Sequence, residues 1–287
     1  MRLIQPVRSG LALAAEIAGT APARGSMAIW WLGQSGFVVK TGAGVLVIDP
    51  YLSDSLTVKY EGTSRPHVRM MALALEPRLL SPVDLILCSH KHSDHMDAAS
   101  LSPMLEANPR AVVGLPEALA EHAARIGVEP GRQLPMRAGT QIEAGGFRAR
   151  AIPSAHETLE TDEAGRHLCL GFVVETEGMR LYHSGDGLVY DGLVAHLGDA
   201  PFDVMMLPIN GRDPARGVPG NMSAGEAVDL AARVRPRYAV PHHYDMFTFN
   251  TVPVSDFEVE ARRLPAGVSP RVLRCGERWE VSAWESP

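Results

Sequence analysis

Apolar residues in this chain gather in short, partly β-branched runs bounded by Gly, Pro, Asp and Ser, a pattern of strands more than of long helices. Met27 to Leu32 and Phe37 to Lys40 flank the turn Gly33-Gln34-Ser35-Gly36, which predicts a hairpin. Val45 to Ile48 follows as a third strand and stops at Asp49-Pro50. Further strands are predicted at Val83 to Cys88, Ala111 to Gly114, Phe147 to Ile152, Leu168 to Glu175, Met179 to Tyr182, Asp203 to Leu207 and Tyr238 to Val240. One or two more fall within Arg271 to Val281.

Helices are predicted between these runs. Ala98 to Ala107 is one, and Pro116 opens another that runs through Arg125 and ends at Gly127. Ser223 with Glu226 forms a capping box for a third, which ends near Arg235-Pro236. Ser255 with Glu258 reads as the cap of the last helix. The segment from Tyr51 to Pro82 shows no period and reads as a long irregular excursion, either a substrate lid or an ordinary surface loop. No linker, low-complexity segment or internal repeat interrupts the chain, so residues 1–287 are read as one domain, with residues 1–26 as an N-terminal helix and lead-in.

Composition narrows the function classes. With 46% hydrophobic and 21% charged residues over 287 positions, the chain is an ordinary globular protein. A formal net charge of −6 argues against a general nucleic-acid surface. No apolar run reaches the ~18 residues that span a bilayer. Near the N-terminus, Glu16 cuts short the run Leu11-Ala12-Leu13-Ala14-Ala15, which favours a short amphipathic helix over a secretion signal. The three cysteines, Cys88, Cys169 and Cys275, form no C-x-x-C pair. A sparse, odd set points to buried thiols in a reducing, cytoplasmic setting.

The candidate chemistry lies just after the strand Val83 to Cys88, in His90-Lys91-His92-Ser93-Asp94-His95. In extended backbone, side chains two positions apart point the same way, so His90 and His92 can approach one ion together. Asp94 and His95 follow a turn and can face a second ion. Imidazole with carboxylate suits zinc, manganese or iron better than calcium. Other metal-capable residues also follow predicted strands: Asp49, His156, Asp186 between two glycines, and the pair His242 and His243. Strand ends along one edge of a sheet system can converge, so these clusters predict one composite site. Asp49 reads either as a turn residue or as a carboxylate that orients a ligand histidine.

The pattern H-x-H-x-D-H, followed by a separate His, then Asp, then His, resembles the metallo-β-lactamase superfamily. The resemblance implies an α/β fold, a four-layer αββα sandwich with the metal site along one edge of its two sheets. It implies His90, His92 and His156 for one ion, and Asp94, His95 and His243 for the other, with Asp186 bridging both. It selects His243 over His242, and it matches Asp49 to the aspartate that supports the site.

A narrower resemblance, carried by Trp30-Trp31-Leu32-Gly33-Gln34-Ser35-Gly36, Leu181-Tyr182-His183-Ser184-Gly185-Asp186, Asn210-Gly211-Arg212-Asp213 and Pro241-His242-His243-Tyr244-Asp245, is to the L-ascorbate-6-phosphate lactonase branch. It implies one or two Mn2+ or Zn2+ ions, a small anionic substrate, a cytoplasmic enzyme and a homo-oligomer. It also implies a hydrolase in which hydroxide from acidified water attacks an ester or lactone carbonyl, with Asp94 orienting it or shuttling its proton. Arg212 and Asn210 are the expected substrate contacts, with an ion pair to Asp213 or another loop carboxylate as the alternative for Arg212. A phosphodiesterase on the same scaffold is the second reading. A di-iron redox protein or a metal-stabilised binding protein is the third. The di-iron branch carries Glu where His92 stands, which favours hydrolysis.

Overall fold

The first half of the chain builds one sheet and the second half builds another. The computed structural model describes residues 2–283, so Met1 and residues 284–287 of the expected domain lie outside the described residues. The first sheet takes β1 (Ser26–Gly33), β2 (Gly36–Lys40), β3 (Val45–Ile48), β4 (Leu85–Leu87), β5 (Val112–Pro116) and β6 (Gln133–Met136) in sequence order. The second takes β7 (Gln141–Ala144), β8 (Phe147–Pro153), β9 (Leu170–Thr176), β10 (Met179–His183), β11 (Val204–Pro208), β12 (Tyr238–His242) and the short β13 (Ser269–Pro270). A last strand, β14 (Arg278–Ser282), returns to pair antiparallel with β1 at the edge of the first sheet.

Both sheets follow the same plan. An antiparallel meander, β1 to β3 or β7 to β10, passes into parallel strands, β3 to β6 or β10 to β13. The two halves therefore repeat in topology although the sequence shows no repeat. β1 to β4 and β11 are buried along nearly their whole length, because both faces are covered. A continuous hydrophobic cluster joins residues of both sheets, among them Trp30, Ile48, Leu87, Phe172, Leu181 and Met206. Two mixed sheets packed with helices are the architecture that the resemblance implies.

The helices cover the sheets by the rules of their sequences. The leading helix α1 (Gly10–Gly19) buries Leu13 and Ile17, one turn apart, and leaves Leu11 exposed. Glu16, which breaks its apolar run, accepts a hydrogen bond from Trp30 Nε1 at 3.1 Å. Lys40 Nζ donates to the last carbonyls of the helix, Ile17 O and Ala18 O, both at 2.8 Å. The segment 51–82 is not wholly irregular: it carries α2 (Ser55–Lys59), too short for a periodic signal. α3 (Ala98–Ala107) starts where its pattern predicts, with Asp97 as N-cap. α4 (Ala120–Arg125) follows a single 3-10 turn at Glu117–Leu119, and α5 (Leu193–Leu197) packs near β8. α6 (Ala224–Val234) has the expected capping box between Ser223 and Glu226 and lies against β11 and β12.

The expected cap of the last helix is corrected. α7 (Val254–Glu260) has Pro253 at its N-cap, and Ser255 lies inside its first turn. Proline pre-sets the backbone angle for helix entry, so the helix begins before the Ser-x-x-Glu match. Three strands escape the sequence pattern, among them the two-residue β13. β6 and β7 are only half-buried and mix polar residues with few β-branched ones.

Candidate active site

The metal-capable residues converge at one edge of the two sheets, each just beyond a strand end. Asp49 follows β3, and His90 to His95 follow β4. His156 follows β8, Asp186 follows β10 and His243 follows β12. Two adjacent groups result. In the first, one ring nitrogen each from His90, His92 and His156 lie within 4.8 Å of one another. In the second, atoms of Asp94, His95, Asp186 and His243 meet the same limit. The groups abut, since the rings of His90 and His95 are centred 4.1 Å apart. The structure thus brings together all seven expected ligands.

Local backbone chemistry sets these positions. Asp49, Gln34 and His243 all adopt left-handed backbone, with φ of 43°, 51° and 64°. Such conformations cost energy in non-glycine residues and cluster where a site demands a particular aim of a side chain. Gly185, beside Asp186, has φ +58°, and a Cβ there would fall 2.6 Å from Ser89 Cβ. Glycine is needed at this position both for its conformation and for the close approach of the Asp186 turn to the His90 loop.

The hydrogen bonds orient the ligands. Asp49 is fully buried, and its Oδ2 accepts from His95 Nδ1 at 2.7 Å. Its carboxylate also takes Ser89 N at 2.7 Å and Ser89 Oγ at 2.6 Å. Of the two readings left open for Asp49, the structure shows the orienting carboxylate. With His95 Nδ1 donating to Asp49, Nε2 is the ring atom left to face the ligand group, and it is buried without a hydrogen-bond partner. It faces Asp186 Oδ1 at 3.2 Å and Asp94 Oδ2 at 3.7 Å. Facing two carboxylates, that nitrogen calls for a cation between them, a bound proton or a metal ion.

The first group makes the same case by another route. His92 Nδ1 is 3.0 Å from His90 Nε2 and 3.2 Å from His156 Nε2. Three convergent imidazole nitrogens in so small a space can share few protons. Burial first, and neighbouring histidines next, push His90 well below the usual histidine range. Burial, with His156 and His95, lowers His92 to about 4 against an opposing pull from Asp94. At neutral pH these two rings are uncharged donors, as a metal requires. In the second group burial alone would raise Asp186, yet His95 and His243 outweigh it and hold its carboxyl well below the ordinary carboxylate range. Burial would lower His95 and His243, and the facing carboxylates outweigh it and raise both. The donor set, nitrogen-rich on one side and carboxylate-rich on the other, fits divalent ions such as zinc or manganese.

His242 stands apart from the ligands. It is fully buried, stacked on His183 at 4.8 Å, with its Nδ1 3.0 Å from Ser35 Oγ. The structure also shows residues that the sequence reading left without a role. Gln34 Nε2 donates to Asp94 Oδ2 at 2.8 Å and lies 3.0 Å from His243 Nε2. Gln34 O accepts from Trp31 Nε1 and from His243 N, both at 2.9 Å. Its position in the turn Gly33-Gln34-Ser35-Gly36, just after two tryptophans, was the available signal. Ser89, between the β4 strand and His90, had none.

The two expected substrate contacts lie elsewhere. Arg212 does not line the cleft. Its guanidinium grips Glu226 with two hydrogen bonds of 2.7 and 2.6 Å, at the N-terminus of α6. The structural alternative for Arg212 is therefore the one observed, with Glu226 and not Asp213 as partner. Asn210 is fully buried, accepting from Asn221 Nδ2 and donating to Asn250 Oδ1. It braces the loop behind the cleft.

The two candidate ligand groups form the floor of a cleft of about 470 Å³. Its walls come from the 51–82 segment, the His90 loop and the turn at Gly217 to Pro219. Among the described residues no helix is long and apolar enough to cross a membrane. All three cysteines are buried and free.

Comparison with known proteins agrees with this geometry. A family profile described as "Beta-lactamase superfamily domain" matches residues 45–244. A "UPF0173 metal-dependent hydrolase" of Opitutus terrae is 32% identical over 260 residues, covering 89% of this chain and 100% of that protein. Another, from Pyrobaculum neutrophilum, is 34% identical over 236 residues, covering 81% of this chain and 90% of the relative. Among solved structures, an isothiocyanate hydrolase from Delia radicum gut bacteria superposes with a TM-score of 0.70 at 18% identity, over 90% of this chain and 100% of that one, a likeness of fold. From strand-end ligands to full-length relatives, these findings place the chain in the metallo-β-lactamase superfamily, as a member of the UPF0173 family of metal-dependent hydrolases.

Proposed function

We propose that this hydrolase opens an ester or lactone bond in a small anionic substrate, with a phosphorylated sugar-acid lactone such as that of L-ascorbate 6-phosphate as the leading candidate. The observation that carries the reading is the pair of abutting, mostly buried ligand groups at the floor of a cleft of small-molecule size. His90, His92 and His156 would hold one divalent ion and Asp94, His95 and His243 a second, with Asp186 between them. Such ions acidify bound water toward neutral pH and polarise a carbonyl.

The chain's own groups supply the rest. Asp186 and Asp94 bring the negative charge that balances the site. Asp94 lies at the open edge, with its side chain 15% exposed, and lines the cleft. Burial would raise its pKa, but His95 and His243 outweigh that and keep it lowered, so the carboxylate is ionised at neutral pH. Gln34 fixes one of its oxygens, which leaves the other to receive a proton from the attacking water and return it to the leaving alkoxide. Asp49 and Ser89 fix the ring of His95 and exclude water behind it.

The buried free thiols favour a cytoplasmic setting. The homo-oligomeric state rests on the branch resemblance alone and is open to light scattering. The test of activity is a panel of phosphorylated and unphosphorylated lactones, with bis(p-nitrophenyl) phosphate beside them, offered to protein loaded with manganese or zinc. Opening of a phosphorylated lactone supports the reading. Turnover of the phosphodiester alone would replace it with phosphoester hydrolysis on the same residues.

A further inference from the structure

The cleft above the metal groups has an unusual balance of charge. Its only acidic lining residues are the ligands Asp94 and Asp186. Three cations line it as well: Lys59 at the end of α2, Arg65 in the following loop, and Lys91 within the ligand loop itself. All three are exposed, and among the described residues none has a carboxylate within ion-pair distance. Arg69, on the same segment, is tied to Asp54 at 2.6 Å and stacks over Tyr51, so it is part of the scaffold. The cations left unpaired on this segment and in the ligand loop are those that face the cleft.

Arg65 is also seated. Gly217, on the opposite wall, adopts φ +57°, and a Cβ at that position would fall 2.3 Å from Arg65 Nη2. The guanidinium end of Arg65 thus lies directly against the Gly217 backbone. Arg65 therefore reaches from one wall of the cleft to the other, and among the described residues it has no carboxylate of its own. Lys59 and Lys91 approach from two different elements. Lys59 sits close enough to add to the lowering that burial imposes on His67, and Lys91 does the same to His122. Both histidines line the cleft too.

We propose that Arg65, Lys59 and Lys91 form an anion subsite at the mouth of the metal cleft, which receives a phosphate or carboxylate carried by the substrate away from the bond that is broken. Arg65 supplies a planar fork for two anion oxygens, and the lysines add point charges. This subsite takes the place that the sequence reading gave to Arg212. It rests on the hydrolase reading for the identity of the substrate, while the binding of an anion stands independently of turnover.

Two substrate pairs separate the sources of the anion: gluconolactone against its phosphate ester, and p-nitrophenyl butyrate against mono-p-nitrophenyl glutarate. Metal-loaded wild type is expected to prefer the anionic member of at least one pair by about tenfold in kcat/KM, and the preferred pair names the anion. Arg65→Ala and Lys91→Ala are each expected to cut that preference about fivefold, mainly through KM, and high salt to weaken it. Arg148→Ala removes the same charge outside the cleft and is expected to keep the preference. An unchanged ratio in Arg65→Ala, or an equal loss in Arg148→Ala, overturns the subsite.

A calorimetric titration of inorganic phosphate into the metal-loaded protein covers the case of no turnover. Binding weakened about fivefold or more by Arg65→Ala supports the subsite even if the lactone reading fails. Identical binding by wild type and Arg65→Ala, or no binding by either, overturns it.

Discussion

Asp49 Oδ2 and His95 Nδ1 meet at 2.7 Å, and both side chains are fully buried. That contact fixes which nitrogen of His95 carries a proton and which faces the ligands. The second nitrogen then points at Asp94 and Asp186, where it can hold a proton or, once that proton is lost, a metal ion.

Asp49→Asn isolates this contact. Asparagine tolerates the left-handed backbone at position 49, so the turn survives while the charge is lost. Metal affinity at the His95 group is expected to fall about 10–100-fold, the usual cost of losing a carboxylate behind a ligand histidine. Competition with a fluorescent chelator measures it. An unchanged affinity would show that His95 needs no such support.

Gln34→Ala tests a residue that holds both Asp94 and the backbone of His243 in place. The side chain donates to Asp94, whereas the backbone contacts survive the substitution. Hydrolysis is therefore expected to drop in kcat by about tenfold or more, with bound metal retained. Loss of metal together with activity would assign Gln34 to the ligand scaffold instead.

The Arg212–Glu226 pair gives a prediction of stability without a role in substrate contact. Arg212, then the backbone and side chain of Ser223, hold the Glu226 carboxyl down to about 2, against an opposing effect of burial. The folded pKa lies below the ordinary value of 4.5. The pair's contribution is therefore complete above that value and fades as pH falls from 4.5 toward 2. Glu226 keeps 34% and Arg212 46% of their side chains exposed, so solvent screening limits the effect. Glu226→Gln is expected to cost about 0.5–1 kcal/mol near neutral pH. Denaturant unfolding should show that difference shrinking below pH 4.5. A difference independent of pH would mean that the cap, and not the charge, supplies it.

What the sequence revealed follows from where information is stored. Ligands at strand ends were legible because imidazoles and carboxylates beyond apolar runs are chemically conspicuous, and the six residues from His90 to His95 supply four of the seven. Buried strands such as β3 and β4 were legible for the same reason, since burial on both faces leaves an unbroken apolar run. The half-buried β6 and β7 were not, nor was five-residue α2. Arg212 misled because an arginine beside a predicted site looks alike whether it faces substrate or a helix cap. Only the fold shows that Glu226 reaches it first. Arg65 and Lys59 carried no sequence signal, because their significance lies in what is absent around them: a carboxylate partner, and a side chain at Gly217.

The central claim is that two adjoining ligand groups hold the metal on which hydrolysis depends. The direct measurement is metal titration into chelator-stripped protein, with bound metal counted by elemental analysis and lactone opening assayed on the same samples. Wild type is expected to bind up to two equivalents and to gain activity with them. His92→Ala and His243→Ala, one from each group, are each expected to lose about one equivalent and most of the activity. Lactone opening that survives complete removal of metal, or metal binding indifferent to both substitutions, would contradict the claim.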